Sequence, residues 1–268
     1  MSEPSDKRAL LAQAWSEAAA GYEQYFVPRF APWIRHGVRA VAAVPLPAGS
    51  IVVPCCGTGW ELQLLAAEWP ERAIYGIDLA PEMVRWAQER TADCPHVQVA
   101  IGDASSSADW PSSCAAVFSW FGLQQLPEPA AVLRQWVRRL QPGGVLSVMF
   151  WPAVPESEGP FAWLQQVLAQ RRPPADRSWE QQLAAVVREA GAELQRDERV
   201  GLGMSHGSAV EFWEAMVQHG PLRSLALARE PEFVRAVRAD FLQRAPSGAI
   251  RHEPQAHWLL VRRLEGDC

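Results

Sequence analysis

The sequence predicts an α/β fold, a mainly parallel sheet with helices on both faces, and three observations predict it. Apolar runs of strand length alternate with segments of helical period from about residue 51 to residue 150. Pro and Gly punctuate that alternation at the boundaries, where a helix opens or a turn closes. A chain of 268 residues that is 49% hydrophobic and 21% charged can bury a large core, which excludes disorder over its whole length. Strands alternating with helices join as βαβ units with right-handed crossovers, and the pairing is therefore parallel.

Each element has its own reason. Leu10, Leu11, Trp15, Ala19, Tyr22 and Phe26 recur every three or four residues, giving a helix with one buried face, and Pro28 to His36 reads as more helix. Pro45, Pro47 and Gly49 break the chain before Ile51-Val52-Val53, a buried strand. A helix over 59–68, a strand over 73–77 and a helix over 81–90 follow, with Pro81 in the first turn, where it is tolerated. Strands at 97–101 and 115–120 precede a helix at 130–140, which Gly143-Gly144 separates from a strand at 145–150. After Trp151 the rhythm changes, because Pro-rich stretches at 152–160 and 171–178 bracket a helix at 161–170, an insertion over the sheet. Ser178-x-x-Gln181 and Ser208-x-x-Glu211 have capping-box spacing. The first opens a helix to about Ala190; the second opens one with Val210, Trp213, Met216 and Val217 on one face and Gly220 at its end. A helix at 231–243 and a strand at 256–261 complete the chain, which has no internal repeat. The organisation expected is one domain over 1–268: a helical lid at 1–48, a core at 49–151, and a helical cap with C-terminal strands at 152–268.

Charge and cysteine usage narrow the partners. Lys plus Arg total 25 against 30 Asp plus Glu, and a net charge of -5 favours neither a nucleic-acid backbone nor an anionic membrane. The cysteines at 55, 56, 94, 114 and 268 form no C-x-x-C pair, so neither a metal site nor a disulfide framework is expected, and a reducing compartment is. The N-terminal stretch lacks an apolar segment behind a basic start, and no run approaches the ~18 apolar residues of a membrane span, so a cytoplasmic location without membrane contact is expected. The 13 Trp beside 3 Tyr fit either an aromatic-lined cavity or a large core.

The chemistry concentrates in Ile51-Val-Val-Pro-Cys-Cys-Gly-Thr-Gly-Trp-Glu61, a strand entering a glycine turn and then a helix. Such a turn lets backbone approach a ligand closely and presents N–H groups at the helix start. A dinucleotide fingerprint starting at Gly57 and Gly59 needs a third glycine where Leu62 stands, and a nucleoside triphosphate loop needs a lysine that is absent. Asp78, 19 residues past Gly59 at the end of the second strand, can accept hydrogen bonds from both hydroxyls of a ribose, or can simply stabilise the helix opening at Pro81. Gly102-Asp103-Ala104 ends the third strand, and Leu140-Gln-Pro-Gly-Gly144 precedes the fifth.

These four elements in this order resemble the core of a class I S-adenosylmethionine-dependent methyltransferase over residues 51 to 151. The resemblance is to the small-molecule branch of ubiquinone/menaquinone-biosynthesis and natural-product enzymes. It implies a Rossmann-like, mainly parallel seven-stranded sheet, S-adenosylmethionine as cofactor and S-adenosylhomocysteine as product. The family's strand-end acid and first glycine are Val53 and Cys55 here, followed by Gly57 and Gly59; loss of the acid removes a group that helps order the methionine end. The resemblance further implies that Asp78 takes the ribose, that Leu79 and Met83 pack near the adenine, and that Asp103 and Ala104 meet its amino group. Ser119, Trp120 and Phe121 would run beside the sulfonium. Tyr22 matches a recurrent lid tyrosine that bonds the cofactor's carboxylate, with Tyr25 as the alternative, and both could instead anchor the lid helix. The histidine that the family often has at Gln124 or Gln125 is absent.

Methyl transfer from a sulfonium is an in-line displacement, so positioning and water exclusion dominate, and a general base helps an O–H, N–H or acidic C–H acceptor. His206, in Gly-Met-Ser-His-Gly, is the first choice of base, ahead of His219 and Glu158, with Glu156 below them. The substrate pocket is expected from Tyr25, Gln124, Trp151 and Trp213, with Trp120, Phe121 and Phe161 also in reach, and these aromatics point to a small apolar or aromatic metabolite of secondary metabolism. A noncatalytic member that only binds cofactor or partner, and a nicotinamide oxidoreductase, are the alternatives.

Overall fold

The computed structural model describes residues 4–107, 110–111 and 113–265; Cys268 lies outside the described residues. In chain order the elements are α1 (Pro4–Ala42), β1 (Ile51–Pro54), α2 (Trp60–Glu68), β2 (Ile74–Asp78), α3 (Pro81–Arg90), β3 (Val97–Ile101) and β4 (Cys114–Trp120). A 3-10 turn (Leu123–Gln125), α4 (Pro129–Arg139), β5 (Leu140–Phe150), α5 (Pro160–Ala169), α6 (Trp179–Glu189), β6 (Ala192–Gly201) and β7 (Met204–His206) follow. The chain ends with α7 (Ala209–Gln218), α8 (Arg223–Ala228), α9 (Pro231–Arg244), β8 (Ile250–His252) and β9 (Gln255–Arg263). These group into two compact units. One comprises the chain up to Pro32 with Ala153–Asp176 and Gly201–Gln255; the other comprises Trp33–Pro152, Arg177–Val200 and the chain from Ala256 onward.

The second unit holds the expected Rossmann-like sheet of seven strands, in the order β3-β2-β1-β4-β5-β9-β6. β1 pairs in parallel with β2 and β4, β2 with β3, and β4 with β5, whereas β9 runs antiparallel to β5. All four residues of β1 and all seven of β4 are buried, as strands covered on both faces require. Val52, Val117, Leu146 and Leu259 pack there with Leu133 and Trp136 of α4 and Leu183 and Val186 of α6 in one continuous core. The strand order reverses between β1 and β4, so the crevice outside their C-terminal ends lies at a topological switch point.

Two local expectations are corrected. Gly143-Gly144 does not separate helix from strand: β5 starts at Leu140, and the register jumps from Cys114↔Leu140 to Ala116↔Val145, a bulge that Gly143 at φ 74° accommodates. Ser178 has helical φ/ψ and makes no side-chain cap, so the capping box expected at α6 does not form. Ser208, by contrast, is extended, and its Oγ accepts the Glu211 N–H at 3.1 Å.

The first unit is helical with one small antiparallel sheet. β7 and β8 pair Met204 with His252, Ser205 with Arg251 and His206 with Ile250. Phe212 and Trp213 of α7 pack on Phe241 of α9, with ring centroids 5.6 and 5.9 Å apart. α1 contributes to both units and contains Pro28 and Pro32. Each proline removes a ladder donor, and burial of Phe26, Val27, Phe30, Ala31, Trp33 and Ile34 on either side offsets that loss. Among the described residues no helix is long and apolar enough to cross a membrane, and no cluster of three metal-ligating side chains occurs.

Candidate functional site

The loops that leave β1, β2, β3 and β4 gather most of the residues singled out from the sequence. The turn after β1 passes through three left-handed residues, Cys55 (φ 58°), Gly57 (φ 52°) and Gly59 (φ 79°). Gly59 is required twice over, since a Cβ there would also come within 2.8 Å of the Ala87 backbone in α3. At Gly57 a Cβ would meet nothing within 4 Å, so the turn is open on that side. Cys55 stands where the family has glycine, and a matching glycine admits it: a Cβ on Gly122, in the loop after β4, would lie 2.4 Å from Cys55 Cβ. Leu62, at the place of a third dinucleotide glycine, is fully buried and sits over bare Gly76 of β2, where a Cβ would be 2.7 Å from Cδ1. The obstruction expected from Leu62 is thus taken up by the sheet.

Asp78 ties the first two loops together. Its Oδ2 accepts the Gly57 N–H at 2.9 Å and its Oδ1 accepts the Ala80 N–H at 3.0 Å, leaving lone pairs for further donors. Burial pushes the Asp78 carboxyl above its ordinary value, and the backbone donors of Ala80, Gly57 and Leu79 pull it back. Asp103 accepts from both Ser105 N–H (2.9 Å) and Ser105 Oγ (2.6 Å), while the Ala104 carbonyl accepts the Trp136 indole at 2.9 Å. Leu79 is half-buried, and Met83 is buried at the start of α3. Sequence reasoning overlooked Glu61, a carboxylate only 6% exposed in the first turn of α2, where the helix dipole favours it. Burial raises the Cys55 thiol well above its usual range, and Asp78, Glu61 and Asp103 raise it further. The three carboxylates thus act on the Cys55 end of the turn, while Arg90 Nε donates to the Thr58 carbonyl within it at 3.0 Å.

The loop after β4 is held as firmly. Ser119 Oγ donates to the Pro54 carbonyl (3.0 Å), and the Trp120 indole donates to Ser147 Oγ (3.2 Å). Phe121 adopts φ 69°, gives its N–H to the Met149 carbonyl (2.6 Å) and stacks on Trp151 with centroids 4.8 Å apart. Gln124 Nε2 donates to the Phe121 carbonyl at 2.8 Å, and its Oε1 is buried without a donor. A cavity of about 600 Å³ in the same unit lies elsewhere, between the end of α1 and the middle of β5, β6 and β9, lined by His36, Gln195, Arg196 and Trp258 among others.

Tyr22, Tyr25, His206 and Trp213 belong to the other unit. Tyr22 sits among Trp15, Phe26 and Phe30. Trp213, expected to line a substrate pocket, is 3% exposed, packs on Phe241, and lines a small apolar cavity with Val217, Leu222 and Phe233. His206 is 2% exposed and has both ring nitrogens engaged: Nδ1 is 2.6 Å from Tyr25 Oη, and Nε2 is 3.0 Å from His252 Nε2. His252 Nδ1 in turn lies 2.7 Å from Glu156 Oε2, and both side chains are 5% exposed or less. Glu156 Oε1 accepts the Phe161 N–H at 2.8 Å, holding the start of α5. His206 thus presents neither ring nitrogen to solvent, and Glu156, ranked below Glu158 from the sequence, is the buried carboxylate of the pair. His252 was not foreseen at all; its signal is the alternation of a three-residue strand, too short to read.

Residues 51–144 match the family profile described as "Methyltransferase domain". The chain is similar to the trans-aconitate 2-methyltransferase of Streptomyces coelicolor, at 31% identity over 169 residues covering 61% of this chain and 52% of that one, so the match spans about half the relative's length. It is also similar to the demethylmenaquinone methyltransferase of Staphylococcus aureus, at 34% identity over 93 residues, which cover 34% of this chain and 39% of that one. Among solved structures, the YcgJ protein from Bacillus subtilis superposes with a TM-score of 0.59 at 15% identity, covering 87% of this chain and all 100% of the other.

Proposed function

We propose, from a chain whose residues 51–144 are a methyltransferase domain on the fold of the class I S-adenosylmethionine-dependent enzymes, that the protein transfers a methyl group from S-adenosylmethionine to a small acceptor. The observation that carries the reading is the open turn at Gly57 under the combined charge of Asp78, Glu61 and Asp103, at the switch point of the sheet. A sulfonium and an ammonium are cations, and this field favours both.

In this reading Asp78 receives the ribose hydroxyls on its remaining lone pairs, and Leu79 and Met83 lie towards the adenine. Asp103 and Ala104 face the adenine amino group, while backbone from Cys55 to Gly59 and from Ser119 to Phe121 borders the methionine end. Glu61 offsets the acid missing at Val53, while Tyr22, which the resemblance assigns to the carboxylate of that end, belongs to the other unit. The bound group supplies an electrophilic methyl on sulfur, which needs neither a metal nor an enzyme nucleophile to be transferred. The chain's own work is to orient and to keep water out. Trp120, locked by Ser147, and the Phe121–Trp151 stack provide rigid apolar surface for that.

The acceptor proposed is an apolar or aromatic metabolite, because the side chains available beside this loop, Trp120, Phe121, Trp151 and Gln124, are aromatic with one buried amide acceptor. Natural-product tailoring, a cytoplasmic setting, and a single functional domain of lid (1–48), core (49–151) and cap (152–268) belong to the same proposal. Val53, fully buried where the family carries an acid, supports a second reading, a noncatalytic member that only binds the cofactor. Incubation with methyl-labelled S-adenosylmethionine and a panel of phenols and aromatic amines separates the two. Label in an extracted small molecule is the expected result; binding of the donor with no label in any acceptor would favour the noncatalytic member.

A further inference from the structure

The cavity of about 600 Å³ between α1 and the sheet lies wholly within the second unit, and none of its lining residues belongs to the loops after β1, β2, β3 and β4. Trp258, Leu260 and Arg262 are two apart along β9 and line it from one face of that strand. Alongside them, His36 and Ala40, one turn apart in α1, and Ala43 and Val44 just past its end form a second row. The two rows run together end to end. At one end the His36 and Trp258 rings lie 5.3 Å apart, and at the other Arg262 donates to the carbonyl of Pro45, the residue after Val44. Trp258 and Arg262 stand four strand residues apart, so the trough is about 14 Å long. His36 and Ala43 on one rim and Gln195 and Arg196 on the other are exposed, so it opens to solvent.

Charge is unevenly distributed along the trough. On the β6 wall Arg196 pairs with Glu198 at 3.0 Å, and the two charges cancel. Arg262 is held differently. Its Nη1 donates to the Gly143 carbonyl at 2.9 Å and to the Pro45 carbonyl at 3.4 Å, and its Nη2 donates to the same Pro45 carbonyl at 3.4 Å. These are neutral oxygens, and no carboxylate among the described residues pairs with Arg262. The guanidinium is therefore fixed in place with its charge available, and of its five N–H groups the Nε–H and the adjacent Nη2–H stay unused, a fork that matches a carboxylate. Between Arg262 and His36 the lining is aliphatic, from Ala40, Val44, Val145 and Leu260.

We propose that this trough binds an unbranched aliphatic carboxylate, with its head on Arg262 and its chain along Val145, Leu260 and Ala40 towards His36. The proposal is independent of the methyl-transfer reading. A cavity of this volume is in the range of small-molecule sites, and an apolar lining with one fixed polar anchor is how such sites orient a ligand. One unbalanced cation suits a single anionic group. A phosphate ester or a polycarboxylate brings further negative charge into a lining that already holds Glu198. The chain is aliphatic because the lining offers little ring face: Trp258 is 4% exposed, and its indole N–H is engaged by Ser147 Oγ at 2.9 Å.

The test is calorimetric titration of the full-length protein with decanoate, chosen to match the length of the trough, with decanol and acetate as controls. The expected result is one saturable site for decanoate, with decanol about tenfold weaker or more and no heat from acetate. Arg262→Gln weakens decanoate by about tenfold or more and leaves decanol within about twofold. Because that variant also loses the bonds to Pro45 and Gly143, Ala43→Trp is measured beside it. Ala43 is exposed, so an indole there fills the trough without entering the core, and decanoate binding falls by about tenfold or more at an unchanged melting temperature. Absence of saturable decanoate binding overturns the proposal, as does equal binding of decanoate and decanol, or decanoate binding that neither variant weakens, which is adventitious partition. Sedimentation of the same samples reads the other occupant: a dimer that Ala43→Trp dissociates and decanoate does not would assign the trough to a second copy of the chain, and that too overturns the proposal.

Discussion

Cys55 and Gly122 show how one departure from a family pattern is absorbed by another residue. A non-glycine residue at φ 58° carries about 1–2 kcal/mol of backbone strain, and the structure holds it there by leaving Gly122 bare beneath the thiol. Gly122→Ala should therefore cost about 2 kcal/mol in urea unfolding, the usual size of an overpacking penalty. In a Cys55→Gly background the same substitution should cost less than half as much, because the Cβ it would meet at 2.4 Å is gone. Equal costs in the two backgrounds would show that the residues are not coupled. The sequence made Cys55 visible as a departure but not Gly122 as its partner, since they lie 67 positions apart and meet only through the pairing of β1 with β4. Asp78 stands out in the sequence by its spacing from Gly59, and the structure adds that its carboxylate accepts the Gly57 and Ala80 N–H groups. Glu61 does not stand out, because a glutamate opening a helix reads as a dipole-stabilising surface residue until its burial is known.

At the scale of elements, the two serine caps separate what a motif promises from what the backbone permits. Ser208 and Ser178 share the same four-residue spacing, yet only Ser208 takes the extended conformation that brings its Oγ to the helix N–H. Ser208→Ala should destabilise by about 1 kcal/mol and Ser178→Ala by less than half of that, measured as a shift in urea midpoint at constant slope. The reverse order would mean that α7 does not depend on its cap. The βα alternation of the core was readable because its strands are continuous apolar runs and its helices are long enough to show a period. β7 and β8 were not readable at three residues each, so the pairing that aligns His206 with His252 was invisible. The prolines of α1 also limit local reading: a helix that continues through Pro28 and Pro32 does so through burial of its flanks, which sequence period suggests only in part.

For the whole molecule, the topological switch point of a seven-stranded sheet and the carboxylates of Asp78, Glu61 and Asp103 around Cys55 are what the proposal of a cationic methyl donor rests on. Order and spacing of the four loop motifs carried the fold into view from sequence. The buried row of the other unit came from four separate stretches, around residues 25, 156, 206 and 252, and only folding brings them together. The most direct measurement is calorimetric titration of the protein with S-adenosylmethionine and S-adenosylhomocysteine, with NADH as control and Asp78→Ala alongside. Micromolar binding of both sulfur compounds, none of NADH, and at least a tenfold loss in Asp78→Ala is the expected result. Affinity should also weaken on acidification, beginning above the ordinary carboxylate value of 3.8, because burial raises the Asp78 carboxyl and protonation removes its acceptor capacity. Absence of heat with either sulfur compound, or an Asp78→Ala variant that binds as well as the parent, would contradict the account.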